Sequence, residues 1–132
     1  MKIDGGCHCG QIRFEAEVDP ATMGICHCTD CQTLSGTAFR ANIPAAAEMF
    51  ILHGTPKFYV KTAESGTKRR HAFCGECGSP IFATSIDTPK VYSLRVGTIT
   101  QREQFIPRMQ IWKCSALPFV SSLASVPAAD RQ

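Results

Sequence analysis

Cys7-His8-Cys9-Gly10-Gln11-Ile12-Arg13-Phe14-Glu15-Ala16-Glu17-Val18 carries two signals in one short stretch. From Gln11 the residues alternate. Ile12, Phe14, Ala16 and Val18 face one way; Gln11, Arg13, Glu15 and Glu17 face the other. A period of two with one apolar face predicts a half-buried β-strand. Just ahead of it, Cys7 and Cys9 stand two residues apart. On an extended backbone residues i and i+2 share a side, so both sulfurs aim at one centre. The stretch therefore predicts a sheet with a metal-binding thiol pair at the head of a strand.

Working outward, Cys26-His27-Cys28-Thr29-Asp30-Cys31 and Cys74-Gly75-Glu76-Cys77-Gly78 form two more clusters, so that seven of the eight cysteines are grouped. In the third cluster C-x-x-C turns the chain until both sulfurs converge, and Gly75 and Gly78 suit such a knuckle. Seven thiols are one short of two complete tetrahedral zinc sites. Pairing Cys7 and Cys9 with Cys74 and Cys77 gives one closed, structural site. It leaves Cys26, Cys28 and Cys31 as an open site with a free position for water or substrate. The other pairing strands Cys7 and Cys9 as a two-ligand fragment. Two Zn2+ per chain follow. A disulfide framework is the first rival, but a chain of 132 residues has no need of staples. Iron–sulfur ligation is the second, and the spacings do not follow the ferredoxin runs.

The remaining thiol and the histidines are read more plainly. Cys114, alone between Lys113 and Ser115, is expected to be a free buried thiol, with completion of the second site as the alternative. His8 and His27 each sit between two cysteines, so an extended backbone points them away from the metal. His53 and His71 are expected to be ordinary strand residues. Lys68-Arg69-Arg70-His71 is the one basic cluster. It reads first as a solvated strand face, and alternatively as a docking surface for an anionic substrate or a counter-charge to thiolates.

Further short strands are predicted at Ala38–Ile43, Phe50–His53, Lys57–Lys61, Lys68–Phe73, Pro80–Ser85, Val91–Val96 and Arg108–Lys113, with a helical turn from Thr29 to Leu34 capped by Thr29. Strands punctuated this often, without a long amphipathic helix, imply a mainly β single domain: a sandwich or folded sheet over residues 1–120, with a small polar tail at 121–132.

A 44% hydrophobic and 19% charged composition excludes a disordered chain. No apolar run precedes Cys7, and none reaches membrane-spanning length, so the expectation is a protein without leader or membrane anchor in a reducing cytoplasm. The formal charge of +3 counts the thiols as neutral. Seven thiolates and two divalent ions bring it near zero, which argues against nucleic acid as a partner. Assembly into a homo-oligomer is left open.

The ordered trio G-G-C-H-C-G, C-H-C-T-D-C followed by S-G-T-A-F, and F-C-G-E-C-G-S-P-I resembles the glutathione-dependent formaldehyde-activating enzymes and their centromere-protein-V-like relatives, over roughly Gly5 to Phe119. The resemblance implies a zinc-stapled β-tent like that of Rab exchange-factor-like proteins. It also implies structural zinc at Cys7, Cys9, Cys74 and Cys77 and catalytic zinc at Cys26, Cys28 and Cys31. The activity it implies is a carbon–sulfur lyase or synthase joining a small thiol such as glutathione to formaldehyde or a similar aldehyde. Gln110 stands where many relatives carry histidine, and Phe119 where tryptophan is common. Ser35, Gly36, Thr37 and Phe39 are placed to line the mouth of the open site, and Arg69 and Arg70 to steer an anionic thiol. The alternative from another class is a non-catalytic zinc-binding interaction module, which a fourth protein ligand at the second site would favour.

Overall fold

The computed structural model describes residues 1–132 and contains nine strands and one α-helix: β1 (Lys2–Gly6), β2 (Arg13–Val18), β3 (Gly24–Cys26), α1 (Thr29–Ser35), β4 (Arg40–His53), β5 (Lys57–Thr62), β6 (Lys68–Phe73), β7 (Pro80–Ser85), β8 (Val91–Arg95) and β9 (Met109–Ile111). Short 3-10 turns fill most of the rest. The alternation read from the sequence is real: Phe14, Ala16 and Val18 of β2 are buried and the residues between them are exposed. Ile12, just ahead of the strand, is buried too. Burial of Ile12, Phe14 and Val18 contributes on the order of 1.5–3 kcal/mol each, and that of Ala16 less.

Two strands lie outside the sequence expectation. β1 contains Gly5-Gly6, which weakens a strand signal, yet it pairs antiparallel with β2 from Lys2 opposite Glu17 to Gly6 opposite Arg13. Gly5 is there for lack of space: a Cβ would strike the Phe14 ring and the Thr98 carbonyl. β3 is three residues long and runs between β4, antiparallel, and β9, parallel.

β4 is a correction of another kind. Ala38–Ile43 and Phe50–His53 read as separate strands, because Pro44 and the alanines after it break the pattern. They belong to one strand of 14 residues. Its first half pairs with β3 and β8, and its second half with β2, across a bulge between the Val18–Ala45 and Ala16–Phe50 pairs. Pro44 lies just beyond the last β2 pair. A strand that changes partners along its length carries no single period, and this is why the reading divided it.

All nine strands join one sheet, in the order β1-β2-β4-β8-β7-β6-β5, with β3 and β9 attached beside β4. Every pairing is antiparallel except β3 with β9. β1 and β6 stand five steps apart in that order. At about 4.8 Å per step a flat sheet would separate them by roughly 24 Å. Yet the thiols that follow β1 and those that follow β6 have sulfurs within 4.8 Å of one another. The sheet is therefore folded over, and the cysteine cluster closes it. Inside the fold Phe14, Ile43, Ile81, Phe82 and Leu94 are sealed from solvent. Phe50 bridges the halves, its ring centroid 5.9 Å from Phe14 and 4.5 Å from Tyr92. The C-terminal stretch forms exposed 3-10 turns over Pro118–Ser125. No helix is long and apolar enough to cross a membrane.

Candidate metal centres and their cavities

The loop after β1 and the knuckle between β6 and β7 bring Cys7, Cys9, Cys74 and Cys77 together, all four sulfurs lying within 4.8 Å of one another. Cys9 Sγ is 3.6 Å from both Cys7 Sγ and Cys74 Sγ. That is far too long for a disulfide. It is close to the edge, about 3.8 Å, of a tetrahedron whose centre binds sulfur at about 2.3 Å. The backbone is set for thiolates as well. The Ile12 N–H donates to Cys7 Sγ at 3.2 Å, and the Ser79 hydroxyl lies 3.2 Å from Cys77 Sγ. That hydroxyl, with the Cys9 and Ser79 backbones, pulls the Cys77 thiol down to about 5. Gly78 closes the knuckle in the left-handed region at φ 76°. The donor set fits a closed tetrahedral zinc.

Cys26, Cys28 and Cys31 form the second cluster, again with all sulfurs within 4.8 Å. Cys26 ends β3; Cys28 and Cys31 bracket the first turn of α1. The helix cap is Cys28, not Thr29: its Sγ accepts the Cys31 N–H at 3.2 Å. Gly36 ends the helix at φ 70°. Burial pushes the Cys28 thiol up, but the Cys31 N–H, the neighbouring thiols and Lys61 together hold it below its ordinary value. Burial and the Cys28 thiol drive Cys31 the opposite way, to about 12. Three thiols this close cannot all ionise without a cation between them. The cluster fits a zinc with three protein ligands.

No other side chain completes it. Cys114 is exposed and lies outside the cluster, in a 3-10 turn, so the expectation of a buried strand thiol is corrected. His27 is fully buried, its ring edge-on to Phe39 at 5.8 Å and its Nε2 2.8 Å from Gln110 Oε1. Gln110 thus anchors the metal loop from β9, helped by the His27 N–H donating to the Ile111 carbonyl at 3.0 Å.

Two cavities flank α1, and only the larger has a cysteine of the three-thiol cluster, Cys28, in its wall. The larger, of about 410 Å³, has Cys28, Asp30, Lys61, Trp112 and Ser115 in its wall. Lys61 Nζ meets Asp30 Oδ2 at 2.9 Å across it. The smaller, of about 200 Å³, is lined by Leu34, Ser35, Arg40, Tyr59, His71 and Arg95, among others. Of the residues expected at the mouth, Ser35 lines this smaller cavity and Phe39 packs on His27, while Gly36 and Thr37 are exposed at the end of α1. Arg69 shares a strand face with His71. Arg70 alternates to the other face, with its guanidinium 4.6 Å from the Phe58 ring centroid.

His71 is more than an ordinary strand residue. Its Nδ1 lies 3.1 Å from an Arg95 nitrogen. Burial, then the charges of Arg95 and Arg40, push its pKa from 6.5 down to about 4. Above 6.5 both folded and unfolded imidazoles are neutral. Between 6.5 and about 4 the unfolded chain takes up the proton and the folded chain does not, so this contribution to stability falls as the pH falls through that window. The expected result is an imidazole whose 15N shifts stay those of the neutral ring as the pH drops from 6.5 toward 4. A midpoint near 6.5 would contradict the contact with Arg95.

Comparison with known proteins adds three findings. Residues 2–115 match the family model described as glutathione-dependent formaldehyde-activating enzyme. A Halomonas elongata protein, provisionally named a glutathione-dependent formaldehyde-activating enzyme, is 30% identical over 88 residues, which are 62% of this chain and 55% of that one. The chain thus spans about half the length of that curated relative. A crystal structure of a Rhodobacter sphaeroides protein superposes with a TM-score of 0.58 at 22% identity, covering 74% of this chain and 88% of the other, and shares the fold.

Proposed function

Since the chain belongs to the glutathione-dependent formaldehyde-activating family, we propose that it is a zinc-dependent carbon–sulfur lyase or synthase acting on the adduct of a small thiol and a small aldehyde, glutathione and formaldehyde being the leading pair. The observation that carries the reading is a cluster of three sulfurs, without a fourth, one of whose cysteines, Cys28, lines a cavity. Held by Cys26, Cys28 and Cys31, zinc would supply Lewis acidity and one free position, lowering the pKa of a thiol or polarising an aldehyde oxygen.

The chain's own residues do the rest. The Cys31 N–H fixes Cys28, and the β3–β4 pairing of Cys26 with Arg40 fixes Cys26. Lys61, held by Asp30, keeps a positive charge beside Cys28 and Cys31, favouring the anionic form of a sulfur or oxygen arriving there. Trp112 forms an apolar part of the cavity wall. In the forward direction the thiol gives up its proton and its sulfur bonds the aldehyde carbon. The carbonyl π pair moves to oxygen, which takes up a proton. In reverse the hydroxyl loses its proton, the carbonyl re-forms and the carbon–sulfur bond breaks.

Two measurements test this. Elemental analysis of protein purified without chelator is expected to give two zinc ions per chain; one or fewer after metal repletion counts against the two-site reading. Exchange NMR of formaldehyde, glutathione and their adduct is expected to show faster interconversion with holo-protein than with an equal amount of metal-free protein. Equal rates across several thiols and aldehydes would move the balance to a binding module.

A further inference from the structure

The smaller cavity is lined by two buried arginines. Arg40 comes from β4 and Arg95 from β8, and their exposures are 8% and 6%. A buried guanidinium is costly unless an anion offsets it. Neither has one: the ion pairs of the molecule are His53 with Glu15 and Lys61 with Asp30. No carboxylate lines the cavity. Arg95 is held by neutral groups, donating to Asn42 Oδ1 at 2.5 Å and the Ser93 carbonyl at 3.3 Å, with His71 Nδ1 at 3.1 Å. The Arg40 side chain makes no hydrogen bond within the protein. Its nitrogens are not among the sealed, unpartnered atoms, which are His27 Nδ1 and Arg70 Nε. The guanidinium of Arg40 therefore opens on the cavity.

Charge points the same way. Asp30 offsets Lys61, and three thiolates with a divalent ion leave one negative charge to offset one arginine. The other buried guanidinium remains uncompensated, with Arg69 adding to it. Those neighbouring charges also bear on Arg95, whose pKa is pushed down to about 9, first by burial and then by Arg40. His71 is already neutral in this field and cannot relieve it by gaining charge.

Placement ties the cavity to the three-thiol cluster. α1 packs against β4 and reaches β5 through an ion pair. Asp30 near its start meets Lys61 of β5, whereas Leu34 and Ser35 at its end line the smaller cavity with Tyr59 of β5. Cys31 lies between them on the same short helix. No cysteine lines the smaller cavity, whose wall also takes in Phe73, Gly78 and Pro80, but Arg40 pairs with Cys26 across β3–β4, and Arg40 and Arg95 both lie within electrostatic reach of Cys31. At about 200 Å³ the space is below the roughly 300–1,000 Å³ of pockets that hold drug-sized ligands. It suits one anionic end group and a short stem, not a whole tripeptide.

We propose that this cavity is a carboxylate pocket, in which Arg40 and Arg95 seat the carboxylate of a small substrate whose thiol or aldehyde group lies at the Cys26–Cys28–Cys31 cluster. The position of the reacting end rests on the function proposed above; the pocket itself does not. Arginine suits the task because its planar fork matches two carboxylate oxygens. Tyr59 and Ser35 also line the cavity.

The test uses the zinc-loaded chain, 15N-labelled, and follows the Arg40 and Arg95 side-chain N–H signals. Acetate probes the shared carboxylate, mercaptoacetate the thiol source and glyoxylate the aldehyde source, with 2-mercaptoethanol as the uncharged control. Saturable shifts at both arginines are expected with the three carboxylates and not with the control. Tighter binding of mercaptoacetate or of glyoxylate than of acetate identifies which reactant carries the carboxylate. Arg95→Gln is expected to weaken binding about ten-fold or more, and Arg95→Lys less. Wild-type shifts decide the matter even if Arg95→Gln fails to fold. Absence of a saturable shift, or undiminished binding by a folded Arg95→Gln, overturns the pocket. Acetate binding needs no turnover, so failure of the exchange assay with acetate still bound removes the enzymatic reading and leaves the pocket standing.

Discussion

Cys74→Ser is expected to yield no soluble folded chain. Cys74 is almost fully buried, and its sulfur stands 3.6 Å from that of Cys9, across the closure of the sheet. A structural zinc contributes on the order of 10–16 kcal/mol to folding in small zinc domains. Whole domains are stable by only about 5–15 kcal/mol. Weakening one ligand of the closed site removes a share comparable to the entire net stability. It also leaves a hydroxyl buried among thiolates. Far-UV circular dichroism and soluble yield check the result. A Cys74→Ser chain that is folded and melts within a few degrees of the parent would show that hydrophobic contacts alone hold the fold.

Cys28→Ser is expected to behave differently. The fold persists, one zinc of two is lost, and acceleration of formaldehyde–glutathione exchange falls to the level of metal-free protein. Cys28 is half-buried, in the wall of the open cavity, and serine retains an oxygen able to accept the Cys31 N–H and cap α1. The cap is kept and the released ion joined only residues of one short segment, so the loss in stability is smaller than for Cys74→Ser, whereas the loss in chemistry is complete. Zinc content, melting temperature and exchange rate, measured on one preparation, separate the two. If Cys28→Ser unfolds the chain as Cys74→Ser does, the second cluster is also structural. Retained acceleration in a chain with a single zinc would place the chemistry elsewhere.

Much of this molecule was legible because its strongest signals are local. Spacings of two and three residues group the seven thiols, the count of ligands per site divides them, and the structure gathers them in the same two sets. β2 is visible because one apolar face survives along it. β1 and β3 escape because pairing, not propensity, makes them strands: Ile3 is held opposite Ala16, and Gly24-Ile25-Cys26 is held between two neighbours. The smaller cavity was invisible for a related reason. Arg40, His71 and Arg95 come from three different strands, and no spacing links them. Arg69-Arg70 drew attention as a basic pair, but strand alternation parts them, one toward the His71 face and one onto Phe58. The only signal in the sequence is a single arginine in each of two largely apolar strands, Arg40 in β4 and Arg95 in β8.

The clasp that closes the sheet also sets the order in which the chain can be assembled. Cys74 and Cys77 are near neighbours and can capture an ion before anything else has formed, while Cys9 must be brought to them across 65 residues. Loop closure of that length is entropically slow compared with local turns. During that interval Cys26 and Cys28, a second C-x-C pair, are nearer in sequence to the knuckle than Cys7 and Cys9 are. Excess zinc during refolding therefore favours early capture by the wrong pair, and a chain so clipped must release its ion before the sheet can fold over. Recovery of native protein should pass through an optimum in zinc concentration instead of rising to a plateau.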